Sequence, residues 1–195
     1  CAPVCAGILF IGVAANLPVC ARVSLSGPRC PPASPDGAGR GTLFAVQPIR
    51  LIITGGTFDK QYDELRGELT FRTSHLPEIL ERVRVTLPVE LEISELKDSL
   101  EMRDEDRERI AEACSRSPQE RIVITHGTDT MCETAAVIGR QAIDRVVVLT
   151  GAMIPYAFSG TDAVFNLGCA VAAAQSLGPG VYIVMNGRIF TWDNV

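Results

Sequence analysis

Ile49-Arg50-Leu51-Ile52-Ile53-Thr54-Gly55-Gly56-Thr57 is the stretch on which the reading of this chain turns. Ile49 to Ile53 is apolar except at Arg50, the pattern of a short strand buried on both faces. The run stops at Thr54-Gly55-Gly56-Thr57. Paired glycines allow a sharp turn and a close approach of backbone to a ligand, because no Cβ intervenes. They also leave the Thr57 hydroxyl at the carboxyl end of a strand, where open α/β sheets hold their ligands. A strand-to-helix turn with a threonine cap explains the same residues equally well. For this stretch alone the two readings are even.

Outward from it, strand and helix patterns alternate. Ser74 to Val85 places Leu76, Ile79, Leu80 and Val83 on one helical face, with Ser74 as its cap. Val89 to Leu96 alternates apolar and acidic residues, as a half-exposed strand near a sheet edge does. Asp104 to Cys114 reads as a charged helix burying Ile110 and Ala113, and Ile122 to Thr125 as an inner strand. Thr130 to Ile143 aligns Met131, Ala135, Ile138 and Ala142 on a helix, and Val146 to Leu149 is a further inner strand. Asp162 to Leu177 is an alanine-rich helix, and Val181 to Met185 a last strand. This order predicts a three-layer α/β domain with a mostly parallel sheet, flavodoxin-like or Rossmann-like.

Thr54–Thr57, Lys97-Asp98-Ser99, His126-Gly127-Thr128-Asp129, Thr150-Gly151-Ala152-Met153 and Met185-Asn186-Gly187 each follow a predicted strand. In a parallel sheet all five fall on one rim. One such loop is commonplace, whereas five polar or glycine-rich loops on one rim describe a site.

The 195 residues suffice for one full-sized domain, and 47% hydrophobic with 21% charged residues is a globular composition. A net charge of −5 argues against nucleic acid or an anionic membrane as partner, and no apolar run is long enough to span a bilayer. Residues 1–47 read as a leader and linker-like extension, expected to be disordered, ahead of a domain at 48–195. The stretch Ala6 to Ala15 has the apolar centre of an export signal, and Ser26 to Gly41 has linker composition. The chain begins at Cys1 rather than with Met and a basic start, which favours a fragmentary or over-extended reading frame over a clipped signal or an organelle leader. Cys114, Cys132 and Cys169 are expected as small core fillers. Cys1, Cys5, Cys20 and Cys30 lack the histidines or regular spacing of a zinc site.

Five motifs carry a resemblance to a known family: TGGT at 54–57, DS at 98–99, THGTDTM at 125–131, TGAM-x-P at 150–155 and FNL at 165–167. With them the chain, from about Arg50 onward, resembles the L-asparaginases, the threonine-dependent amidohydrolases. The phosphate-binding fingerprints G-x-G-x-x-G and G-x-x-x-x-G-K-[ST] are absent. The resemblance implies hydrolysis of L-asparagine to L-aspartate and ammonia, without metal or cofactor, in a homodimer or homotetramer. It implies Thr57 as nucleophile, and Tyr62 closing over the site to share a hydrogen bond with it. Thr128 would polarise the reacting group and Asp129 would hold the substrate ammonium. Ser99 would receive the α-carboxylate. Gly56, Asp98, Gly127 and Ala152 would complete the substrate contacts, with glycine-loop N–H groups aiding.

Plainer readings stand beside these: caps for Thr128, Asp129 and Ser99, and a packing aromatic for Tyr62. His126 is expected to be structural. The chain departs from the family at Ile154, where Arg is usual, and at Leu100, where long members often carry Gln. The family's lysine partner to its second threonine would align just past Val195, and Lys60 and Lys97 are the chain's two lysines. Alternatives are therefore a catalytically silent amino-acid-binding relative, and a glutaminase or tRNA-amidotransferase type. The expected compartment is the cytoplasm, or the exterior if residues 1–20 are a clipped signal.

Overall fold

The computed structural model describes residues 46–195, so the expectations for the extension before them fall almost wholly outside the described residues. Six strands form the main sheet: β1 (Ile49–Gly55), β4 (Val89–Lys97), β5 (Arg121–Thr125), β6 (Val146–Thr150), β7 (Gly180–Met185) and β8 (Arg188–Thr191). Two more, β2 (Gln61–Asp63) and β3 (Glu68–Thr70), make a separate small hairpin. Four helices intervene: α1 (Leu76–Arg82), α2 (Asp104–Arg116), α3 (Met131–Arg140) and α4 (Ala163–Ser176).

The strand order is β4-β1-β5-β6-β7-β8, parallel throughout except for β8. The five parallel strands, in chain order, give the flavodoxin-like arrangement 2-1-3-4-5. Alternate residues of the inner strands face two separate cores. Ile49, Leu51, Ile53, Val123, Val146, Val148 and Val184 pack on α1 and α4 through Leu76, Ile79, Leu167 and Ala170. Ile52, Ile122, Ile124, Val147, Leu149 and Ile183 pack on α2 and α3 through Ile110, Cys114, Ala135 and Ile138. The expected three layers are thus present, with helices on both faces of the sheet. Arg50 interrupts the apolar run of β1 without penalty, because Glu90 and Glu92 on the neighbouring edge strand receive it at 2.5 and 2.8 Å.

Several boundaries differ from the sequence reading. The first helix starts at Leu76 with His75 as its cap residue and Pro77 in its first turn, while the Ser74 hydroxyl accepts from Leu76 N–H at 3.2 Å and donates to the Asp59 carboxylate. Ala142, expected on the buried stripe of α3, lies beyond the helix end at φ +48 and is exposed. Asn186 and Gly187, both at positive φ, form a tight turn that sends the chain back as β8. Of the three cysteines expected in the core, only Cys114 is buried; Cys132 is exposed and Cys169 half-buried, because their helix faces turn outward.

Candidate active site

In a 2-1-3-4-5 sheet the chain reverses direction between its first and third strands, here β1 and β5, and ligands gather outside the carboxyl ends of that pair. The loops after β1 and β5 meet there with almost no space between their backbones. A Cβ added to Gly56, at φ +74, would stand 2.5 Å from Gly127 Cα. One added to Gly127 would stand 2.6 Å from Ser99 Cβ. Three residues from three loops are therefore stacked in contact, and two of them have to be glycine.

Hydrogen bonds lace the same rim. The Gly56 N–H donates to Lys97 C=O at 3.0 Å, and His126 N–H to Thr150 C=O at 2.8 Å. The Thr54 hydroxyl donates to Thr125 C=O at 2.9 Å, and the Thr130 hydroxyl to Ser99 C=O at 2.8 Å. Asn166 on α4 donates to Gly151 C=O and accepts from Asn186 N–H, tying the loops after β6 and β7 together. The sequence contains this residue within FNL without revealing what it does.

The half-buried Thr57 opens a 3-10 turn over Thr57–Asp59 with Gly56 as its cap residue. Thr128 is half-buried and Asp129 exposed at the entry to α3. Among the described residues none of these three side chains has a hydrogen-bond partner, so all are free for a ligand. Ser99 is fully buried, and its hydroxyl likewise finds no partner. An orphaned buried hydroxyl against a glycine cradle is the kind of group that a ligand oxygen completes.

His126 lies inside this rim but is committed elsewhere. Its Nδ1–H donates to Gly127 C=O at 2.8 Å, and Nε2 accepts from the Thr134 hydroxyl at 2.8 Å. Burial pushes its pKa down to about 4, so the ring is neutral.

Two candidates are placed differently from expectation. Tyr62 does not close over Thr57: it pairs with Leu69 across the β2–β3 hairpin, is 55% exposed, and makes no hydrogen bond to Thr57. The carboxylate of Asp98 is already occupied. It accepts from Leu100 N–H at 3.1 Å, capping the 3-10 turn at Ser99–Glu101, and from Lys60 Nζ at 2.5 Å. The Lys60 ammonium beside Asp98 holds its carboxyl below the usual carboxylate range. The Ala152 methyl is buried in the core, so any contact it makes to a ligand runs through its backbone. Among the described residues no three His, Cys, Asp or Glu side chains gather as a metal site would require.

Strand order and rim define the class: an open α/β protein with hydroxyls collected at its switch point. Residues 48–195 match the family model for the asparaginase N-terminal domain, and the chain belongs to that family. It is similar to an L-asparaginase of Bacillus licheniformis, 31% identical over 73% of this chain and 47% of that one. It is likewise similar to a glutamyl-tRNA(Gln) amidotransferase component of Thermococcus kodakarensis, 31% identical over 72% of this chain and 33% of the relative. Among solved structures, one from Campylobacter jejuni, described as "Probable Cytoplasmic L-asparaginase", superposes with a TM-score of 0.66 at 30% identity, covering 75% of this chain and 48% of that one. The chain thus spans less than half the length of each of these proteins.

Proposed function

We propose that this chain carries the nucleophile of an amidohydrolase converting L-asparagine to L-aspartate and ammonia. The observation that carries the reading is the Gly56–Gly127–Ser99 stack, which sets Thr57, Thr128 and the orphaned Ser99 hydroxyl around one switch point. The Thr57 hydroxyl attacks the side-chain carboxamide, ammonia leaves with the proton, and water hydrolyses the resulting ester. Ser99 and neighbouring backbone N–H groups receive the α-carboxylate, while Asp129 faces the ammonium. Gly56, Gly127 and the Ala152 backbone shape the pocket, and Thr128 polarises the reacting group. Tyr62 reaches Thr57 only if the hairpin swings inward. Asp98 serves the site by holding the Ser99 turn.

The similarity to L-asparaginases supports this substrate, and the Campylobacter relative's description supports a cytoplasmic compartment. Among the described residues no helix is long and apolar enough to cross a membrane. A homodimer or homotetramer is proposed by analogy alone. The test is ammonia release from asparagine by the full chain, and Thr57→Ala is expected to lower it by about 10³-fold or more. Activity retained in Thr57→Ala would sink the assignment.

One observation favours a second reading. Among the described residues Lys60 is paired with Asp98 and Lys97 with Asp106, at 2.5 and 2.6 Å, so neither of these two is free to serve Thr128. A protein that binds aspartate yet releases no ammonia at any pH is the silent binding relative. Turnover of glutamine in preference to asparagine would point instead to the glutaminase or amidotransferase type, although the acidic balance gives no support for tRNA contacts.

A further inference from the structure

Asp59 is a buried carboxylate with no ion-pair partner among the described residues. It lies two residues after Thr57 and is wholly inaccessible to solvent. Its Oδ1 accepts two hydrogen bonds, from the Ser74 hydroxyl at 3.0 Å and from His75 N–H at 2.9 Å. Its Oδ2 meets no partner among the described residues. Such a group is expensive to retain, and a residue of the same shape without charge would avoid most of that expense.

Its position gives a reason for keeping it. The chain leaves the body of the domain at Asp59, makes the β2–β3 hairpin that carries Tyr62, and returns at Ser74. Asp59 therefore closes the neck of this excursion. The same residue ends the 3-10 turn that Thr57 begins. Between them, Phe58 is fully buried in the core, and its C=O accepts from Tyr156 N–H at 3.3 Å. Two of the three residues of the turn are thus anchored, and only Thr57 is left reaching the rim.

We propose that Asp59 is a positioning residue for Thr57: by clasping Ser74 and His75, its carboxylate holds the nucleophile's turn and the neck of the hairpin in one arrangement. It touches neither substrate nor reacting atoms. The proposal rests on the reading of Thr57 as nucleophile. A carboxylate suits the task because a charged acceptor bonds more strongly than an amide oxygen.

The groups around the clasp come from three elements. His75, whose Nε2 is buried and unpartnered, and Glu78 and Arg82 belong to α1 and its entry. Tyr156, from the loop after β6, packs its ring against His75 at a tilt of 49° with centroids 5.3 Å apart, and bonds Glu78 and Arg82 through its hydroxyl. Lys60, on the same segment as Asp59, is taken by Asp98. Burial holds the Asp59 carboxyl above its ordinary range, opposed by its two hydrogen bonds and by His75.

The test compares the full chain with Asp59→Asn and Ser74→Ala, using amide hydrogen exchange over residues 60–75, thermal unfolding, and kcat and KM for asparagine across pH. Asp59→Asn is expected to speed exchange in the hairpin about tenfold and to lower kcat about tenfold with KM little changed. Its unfolding midpoint should hold or rise, since a buried charge is gone. The fall in kcat as acid protonates Asp59 should be absent from the variant's profile. Ser74→Ala should move exchange and kcat in the same direction but less. Exchange and kcat unchanged in both variants overturns the proposal. So does a loss of kcat that tracks only a fall in the unfolding midpoint. Should no form release ammonia while exchange still responds to Asp59→Asn, the nucleophile reading fails and the clasp stands.

Discussion

Gly127→Ala is the sharpest probe of the rim, because the contact it disturbs joins three loops at once. Gly127 is not at positive φ, so an alanine there meets no backbone penalty of its own; the obstacle is Ser99, whose Cβ would lie 2.6 Å from the new methyl. A Cβ is not a flexible side-chain end, so relief requires the Ser99–Glu101 turn to shift as a body. That turn is held by Thr130, by Asp98 and through Asp98 by Lys60. Overpacking of this kind costs about 1–3 kcal/mol. In a domain of this size that is a drop of about 3–10 °C in the unfolding midpoint. Gly56→Ala, at φ +74 and against Gly127 backbone, should do worse by about 1–2 kcal/mol. The decisive assay is a double-mutant cycle by calorimetry. Ser99→Gly should recover most of the loss in the Gly127→Ala background while destabilising the parent, a coupling of about 1–2 kcal/mol. Purely additive effects, or a Gly127→Ala midpoint matching the parent, would show that these loops do not touch as described.

Other outcomes follow from burial. The folded pKa of His126 is depressed to about 4, so its contribution to stability is fully present above its unfolded value near 6.5 and is lost as pH falls through about 4. The loss is on the order of 3 kcal/mol, and a ring-proton titration of His126 with a midpoint near 6.5 would contradict it. Burial pushes the Cys114 thiol up to about 12, whereas Cys132 is exposed. Alkylation of the native protein, mapped by mass spectrometry, should therefore modify Cys132 and spare Cys114 until unfolding.

How far each residue can be read from sequence depends on the range of the forces acting on it. The inner strands and four helices announce themselves because burial on one or both faces imposes a period along the chain. Strand β8 escapes the sequence reading, which counts Asn186-Gly187 as one more rim loop, although that pair is a strong hairpin signal. The β2–β3 hairpin carries no apolar alternation and rests on turn geometry at Asp63 and Gly67, so nothing in its composition distinguishes it from a loop. Helix propensity does not say which face of α3 or α4 meets the core beyond its apolar stripe, and the single cysteines Cys132 and Cys169 are misplaced for that reason.

The chain's own pattern was sufficient for the α/β class, the parallel sheet, and the gathering of Thr57, Ser99, Gly127, Thr128 and Asp129 on one rim, since strand periodicity and loop position are local properties. Contacts between loops distant in sequence could not be read that way. The commitment of Asp98 to Lys60, the sealing of His126 by Gly127 and Thr134, and the solitary burial of Asp59 under Ser74 and His75 arise only when the folded backbone brings those atoms within bonding distance. A side chain's charge and reactivity follow from the neighbours that packing supplies, and packing is settled in three dimensions.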